Sequence, residues 1–367
     1  LEGIRELLVI SEKGGCLTAA QLERLGMTLV SFRRMKSYLE RGKAYQLGLP
    51  YYAENIDALE ELEEMITMQI RNECVDDGAS ALLKDLRAAI MRTEDKMRER
   101  ADSMIRSNKE CMSDSFSTMR NGHICIPVKK EYKHRIPGSV IDKSATGSTF
   151  FVEPVGVANI YEEIDLLRIS EENEVYRILY TLTAMVAEAE YIMEENIRMM
   201  EKLDYIFSKG KLSMDMHACE PVVTLDRNIR LKNARHPLMD RTISVPLQFE
   251  LGGDVRGIVI TGPNTGGKTV AIKTVMLNCL MAQCGLHVTC EEASICMNSN
   301  YLCDIGDGQN ISENLSTFSA HIKNVLEVLA EVNQDSLVIM DELGSGTDPA
   351  EGMGIAISIL EELRKSG

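Results

Sequence analysis

Apolar residues recur at helical spacing in three stretches of the amino-terminal part of the chain. Residues 18–40 carry Leu22, Leu25, Leu29, Phe32 and Leu39, opened by a Thr18/Gln21 capping box and closed at Gly42, which predicts a helix. Residues 55–71 repeat the pattern with Ile56, Leu59, Leu62, Met65 and Ile66. A longer run, residues 79–119, spaces Leu82, Leu83, Leu86, Ile90, Met97, Met104 and Ile105 among dense mixed charges and predicts a long, partly exposed coiled arm. The period then changes at Arg120-Asn-Gly-His123. His123-Ile-Cys-Ile-Pro-Val-Lys129 and Ser148-Thr-Phe-Phe-Val-Glu153 read as strands, separated by the turn formers Pro137-Gly138 and Thr146-Gly-Ser148. After Pro154 a second helical region runs to about Lys211. Two long helices bracketing a small β tip describe a lever that carries a head.

From Glu220 onward the pattern becomes α/β. Gly257-Ile-Val-Ile-Thr261 reads as a short strand, Gly262-Pro-Asn-Thr-Gly-Gly-Lys-Thr269 follows it, and Thr269-Val-Ala-Ile-Lys-Thr-Val-Met-Leu277 is apolar at helical spacing. Strand, G-x-x-x-x-G-K-[ST] and helix together make a phosphate-binding loop for a nucleoside triphosphate. Its candidate binding residues are Gly262, Pro263, Asn264, Thr265, Gly266, Gly267, Lys268, Thr269 and Val270. The glycines let backbone N–H groups turn toward phosphate, Lys268 adds a positive charge, and the Thr269 hydroxyl suits Mg²⁺. Ser336-Leu-Val-Ile-Met340 reads as a buried strand ending in Asp341-Glu342. There one carboxylate serves the Mg²⁺ shell and the next orients or deprotonates the attacking water. Lys268 and Glu342 are therefore the candidate catalytic residues. Leu315-Ser-Thr-Phe-Ser-Ala-His321 opens a further helix at Ser316 or Thr317, either as an anion-facing helix end or as ordinary capping. His236, before a proline, reads as a structural histidine, with a nucleotide-proximal residue as the alternative.

Composition narrows the partners. The chain has 367 residues, room for two or more domains, and 44% hydrophobic content is ample for real cores. Forty basic against 56 acidic residues leave a net charge of -16, so attraction to nucleic acid or to an anionic membrane has to be local. The densest basic cluster, Lys129, Lys130, Lys133 and Arg135 with Tyr132 and His134 interleaved, lies in the β tip. It is a candidate for phosphate-backbone contact, with a solvated turn as the alternative. The ten cysteines show no C-x-x-C pair and no zinc spacing, and read as reduced, mostly buried thiols of a cytoplasmic protein. No apolar stretch approaches the ~20 residues of a membrane span. The chain opens on Leu1 and stops after the helix-like residues 353–365, so it reads as a fragment cut at both ends.

Taken in order, Ala234-Arg-His-Pro237, Ile260-Thr-Gly-Pro-Asn-Thr-Gly-Gly-Lys-Thr269, Asp304-Ile-Gly-Asp307, Leu315-Ser-Thr-Phe-Ser319 and Asp341-Glu-Leu-Gly-Ser-Gly-Thr-Asp-Pro349 resemble the ATPase domain of the MutS family. Thr265, the Lys268-Thr269 pair and Thr347-Asp-Pro349 resemble its MutS-two branch, linked to suppression of recombination and to ribosome rescue. Ile126-Pro-Val-Lys129 to Phe151-Val-Glu-Pro154 extend the resemblance over nearly the whole chain. It implies an ABC-type ATPase working as a homodimer with ATP and Mg²⁺. Lys268 and Thr269 would face Ser316 and Thr317 of the partner subunit, Thr269 and Asp341 would hold Mg²⁺, and Glu342 would act on water.

The same resemblance implies a domain map: helical core and first lever arm 1–119, small β clamp-like tip 120–157, second lever arm 158–219, and an incomplete α/β P-loop ATPase domain 220–367. Lever and tip would embrace double-stranded or branched DNA, or, as the alternative, ribosomal RNA on collided ribosomes, with no membrane partner. An SMC-type structural ATPase is disfavoured by an arm of only about forty residues, and a nonhydrolysing nucleotide switch by Glu342. The mismatch-reading domain of the family has no counterpart in the sequence. A nuclease domain, a second coiled arm and a strand with a γ-phosphate-sensing histidine would lie beyond Gly367, so nuclease activity would belong to the parent protein. By analogy that strand inserts between the loop strand and the Asp-Glu strand. A gap is therefore expected beside Ile258 to Ile260 and Leu337 to Met340.

Overall fold

Thr18 opens α2 (Ala19–Arg41) as the sequence predicts: its hydroxyl accepts from the Gln21 N–H at 3.3 Å and the Gln21 side chain accepts from the Thr18 N–H at 2.9 Å. The fold is a computed structural model and describes residues 3–45, 48–263, 266–305, 317–345 and 347–366. Asn264, Thr265, Asp307, Ser316 and Gly346, all within motifs singled out above, lie outside the described residues. The chain divides into two units, Leu1–Lys202 and Leu203–Gly367.

In the first unit, α1 (Ile4–Glu12), α2 and α3 (Glu60–Gln69) bury Leu8, Leu22, Leu25, Leu29, Phe32 and Ile66, with α2 packed on α3. The third helix is shorter than the predicted residues 55–71. Leu59 takes the left-handed conformation (φ 50) with its N–H held by the Asp57 carboxylate at 3.0 Å, so the helix starts at Glu60. At the other end Ile70–Arg71 turn into a two-residue hairpin strand, β1, paired with β2 (Cys74–Val75).

The helix predicted over residues 79–119 also ends early. Ser80 caps α4 (Ala81–Ser107), and the Asn108 side chain closes it on the Met104 carbonyl at 3.0 Å. The chain then turns to bury Cys111 and Met112 rather than continuing to residue 119. α5 (Val155–Glu188) returns antiparallel to α4: rising residues on one meet falling ones on the other in Arg87–Glu171, Glu94–Arg168 and Lys96–Glu163. The outer pairs, Lys96–Glu163 above all, are solvent-screened and add little. The seam is held by Ile90, Met97, Ala101 and Ile105 against Val157, Ile160 and Ile164, all buried. α6 (Glu190–Met216) follows after a break at Ala189 that no proline or glycine announces.

The tip is a four-stranded antiparallel sheet in the order β3 (Thr118–Arg120), β4 (His123–Lys129), β6 (Thr149–Pro154), β5 (Gly138–Lys143). Asn121 and Gly122, both at positive φ, form the two-residue turn that joins β3 to β4. Ile124, Ile126, Val128 and Val152 turn one face of the sheet onto the helical seam.

In the second unit, β7 (Val222–Thr224), β10 (Glu292–Cys296), β8 (Asn228–Ala234) and β9 (Leu247–Gly252) form one sheet in that order. β11 (Asn300–Asp304) and β12 (Ser336–Met340) form a separate parallel pair. α7 (Lys268–Gln283) places Val275, Met276, Cys279 and Ala282 in one core with Ile229, Leu231 and Ile295 of the sheet and Leu337 and Ile339 of β12. α8 (Thr317–Glu331) and α9 (Pro349–Ser366) complete the unit.

The predicted loop strand at residues 257–261 is a correction. It joins no sheet among the described residues, and Ile258, Val259 and Ile260 are 45%, 71% and 43% exposed. β12 likewise pairs only with β11 among the described residues, so the two segments are not bonded to each other. Because the unpaired segment is solvated, its N–H and C=O groups escape the cost of burial without partners.

Five of the ten cysteines are buried, Cys111, Cys125, Cys279, Cys290 and Cys296, and none of the ten is in a disulfide. Burial pushes the Cys279 and Cys290 thiols up to about 12, which makes them poor nucleophiles.

Candidate nucleotide site

Glycine chemistry shapes the loop ahead of α7. Gly262 (φ 148) and Gly267 (φ 78) both take backbone conformations that side chains resist, and each stands in open space where a Cβ would meet nothing within 4 Å. The requirement at these two positions is thus set by the turn and not by crowding. Gly267 is the residue ahead of α7, so the first N–H groups of the helix, at Lys268, Thr269 and Val270, lack intrahelical acceptors and face the loop end. Gly266 donates to the Pro263 carbonyl at 3.0 Å. The Lys268 Nζ donates to the Gly262 carbonyl at 2.7 Å, which sets its ammonium across the mouth of the loop.

The second half of the site meets the first at Thr269. Its hydroxyl donates to Oδ2 of Asp341 at 2.5 Å, joining the first turn of α7 to the end of β12 across 72 residues of sequence. Both groups are hard oxygen donors, and one hydroxyl with one carboxylate is the small protein share that Mg²⁺ takes when phosphate and water supply the rest. Among the described residues no cluster of three or more His, Cys, Asp or Glu side chains could hold a metal by itself.

Glu342 follows Asp341 at φ 50, a costly conformation for a non-glycine residue. The surroundings impose it. The Glu342 N–H is held by Oδ1 of Asp341 at 3.1 Å and its carbonyl by the Ser345 N–H at 3.0 Å. The turn is then pressed backbone to backbone on α9: a Cβ on Gly344 would lie 2.3 Å from the Gly352 carbonyl oxygen, and one on Gly352 would lie 2.2 Å from that of Gly344. The Glu342 side chain is exposed beside Asp341.

The predicted residues divide accordingly. Thr269 and Asp341 are bonded to each other, with Lys268 and Glu342 their neighbours in sequence and Gly262, Pro263, Gly266, Gly267 and Val270 around the loop. Asn264, Thr265 and Ser316 lie outside the described residues, and Thr317 is the first residue of α8. His236 is held locally: Nδ1 accepts from the Leu238 N–H at 3.2 Å, and burial, then nearby Lys273, hold its imidazole below the usual histidine range.

Two features of this unit went unread in the sequence. Asn278, fully buried on α7, accepts from the Thr289 N–H at 2.8 Å and donates to the Arg235 carbonyl at 3.3 Å, tying the loop helix to the Ala234-Arg-His-Pro segment. Asp304, 6% exposed at the end of β11, gathers His321 and Asn324 of α8. A polar residue in an apolar helical run is the signal that marks Asn278. Asp304 opens the Asp304-Ile-Gly-Asp307 motif, but nothing local marks its partners on α8.

The basic cluster of the first unit is divided by its own fold. The Lys129 Nζ donates to the Glu110 carbonyl at 3.1 Å, and the Lys133 ammonium lies 4.9 Å from the centre of the Phe150 ring. Lys130 and Arg135 are exposed.

A glycine-shaped loop at the head of a helix, a lysine across it, and a threonine joined to a carboxylate at a strand end define a P-loop nucleoside-triphosphate-binding unit. Comparison with known proteins agrees: residues 258–367 match MutS domain V. The whole chain is 40% identical to the endonuclease MutS2 of Alkaliphilus oremlandii, 39% to that of Bacillus velezensis and 38% to that of Clostridioides difficile. Each alignment takes in all of this chain but only 47–48% of the relative, so the chain spans about half the length of the curated relatives it matches. The chain belongs to the MutS family, in its MutS-two branch.

Proposed function

We propose that this chain is the ATP-binding and ATP-hydrolysing part of a dimeric clamp acting on double-stranded or branched DNA. The observation that carries the reading is the bond between Thr269 and Asp341, which unites the phosphate loop with the acidic strand end. In this reading the N–H groups at the head of α7 and the Lys268 ammonium receive the phosphates. Thr269 and Asp341 hold Mg²⁺, which, when bound, neutralises charge on the transferring phosphate. Glu342 directs a water toward the terminal phosphorus and takes its proton. The left-handed backbone at Glu342 is braced by the packing of Gly344 on Gly352. ATP hydrolysis should stop when EDTA removes Mg²⁺ and return when Mg²⁺ is restored; turnover that survives chelation would contradict the assignment of Thr269 and Asp341.

The proposed clamp comprises α4, α5 and the β tip, with Lys130 and Arg135 as phosphate contacts. Dimerisation and recombination suppression are carried by the resemblance to the MutS-two branch, and nuclease activity of a longer parent by the names of the relatives, all called endonucleases. Replacing Lys129, Lys130, Lys133 and Arg135 together by alanine should weaken binding to four-way-junction DNA and lower its log–log salt slope. Each lost phosphate contact removes about 0.9 from that slope. The drop should match two contacts rather than four, because Lys129 and Lys133 already serve Glu110 and Phe150. An unchanged slope would return the cluster to a solvated turn, and loss of ribosome binding alone would favour a ribosomal partner.

A further inference from the structure

Asp304 performs two tasks at one strand end. Its carbonyl oxygen accepts from the Asp341 N–H at 2.9 Å, extending the β11–β12 ladder by one bond to the residue that meets Thr269. Its buried carboxylate faces α8, where Nδ1 of His321 lies 3.0 and 3.3 Å from its two oxygens and Nδ2 of Asn324 donates at 3.3 Å. With Nδ1 against a carboxylate, that nitrogen carries the proton. His321 and Asn324 are three residues apart on α8, so both reach the same acceptor from one helix face. Asp304, His321, Val325, Glu342, Gly344 and Ile359 also line one small cavity, which brings this pair beside the turn that carries Glu342.

We propose that His321 and Asp304 are positioning residues for hydrolysis: through them α8 sets the placement of Asp341 and Glu342. Neither touches the loop glycines or Lys268 in the bonds described, so the pair governs turnover and leaves nucleotide capture alone. A buried carboxylate with two side-chain donors is costly to leave half satisfied, and a strand end freed from α8 shifts its carboxylates. Displacement of a reacting group by about 1 Å costs on the order of 10²-fold in rate.

This inference rests on the nucleotide-site reading, and the test separates the two. In the protein, kcat and KM for ATP, binding of a fluorescent ATP analogue and Tm are measured for His321→Leu, His321→Asn and Lys268→Ala. The expected result is a kcat about 10–100-fold lower in His321→Leu with KM and analogue affinity within about threefold of the original. His321→Asn, whose amide nitrogen falls near the position of Nδ1, should recover kcat to within about fivefold. A kcat for His321→Leu within twofold of the original overturns the proposal. So does a matched loss of kcat and analogue affinity that His321→Asn does not repair, since that is a role in folding only. If His321→Leu does not fold, Asn324→Ala decides by the same split: kcat at least about threefold lower at constant KM supports the proposal, and the original kcat overturns it. Analogue binding by Lys268→Ala equal to the original would instead remove the nucleotide site itself.

Discussion

Glu342→Gln should bind ATP as the unsubstituted protein does and hydrolyse it about 10²–10⁴-fold more slowly, the range for losing a positioned general base. Glutamine keeps the shape of the side chain and the left-handed turn, whose bonds all run through backbone atoms and Asp341. Only the ability to take a proton from water is removed. The same substitution leaves the loop, Lys268 and the Thr269–Asp341 bond untouched, so affinity has no reason to fall. Single-turnover hydrolysis with a parallel binding titration reads both quantities. Hydrolysis at the original rate would strip Glu342 of its role and pass it to a residue elsewhere.

Lys268→Ala should act at the opposite step. The ammonium stands across the loop at 2.7 Å from the Gly262 carbonyl, where phosphate oxygens would gather the N–H groups of α7. Hydrogen bonds to charged groups contribute about 1.5–3 kcal/mol each, so removal of this one weakens nucleotide binding by roughly one to two orders of magnitude. The fold has little stake in the side chain, because the loop conformation belongs to Gly262 and Gly267 and the helix buries Val275, Met276 and Cys279 further on. Stability without nucleotide should therefore stay within about 0.5 kcal/mol.

Much of the site was legible because its residues are fixed by local chemistry. Positive φ demands glycine at 262 and 267, a helix start places Lys268 and Thr269, and a strand end places Asp341 and Glu342. Helix interiors were legible for the same reason, from Leu22 through Leu39 on one face of α2. Their ends were not: Asp57 capping the Leu59 N–H and Asn108 closing α4 are single polar side chains acting locally inside long apolar patterns. β3 was missed although Asn121-Gly122 is the turn pair that joins it to β4. The loop strand was read from three apolar residues, but a strand needs a ladder, and residues 257–261 have none among the described residues. Asp304 with His321 and Gly344 with Gly352 were invisible for a deeper reason. Each is a long-range juxtaposition, and no periodicity along the chain records which helix packs on which strand end. The basic cluster shows the converse: four charges adjacent in sequence are split by folding into two committed and two exposed ones.

The most direct test of the nucleotide site is a binding titration of ATP with Mg²⁺ against the unsubstituted protein and Lys268→Ala, with Tm of both recorded without nucleotide. Saturable binding that weakens at least about tenfold in Lys268→Ala, at nearly equal Tm, is the expected result. Equal affinity in the two proteins, or no saturable binding in either, would contradict the reading of this chain as an ATP-driven machine.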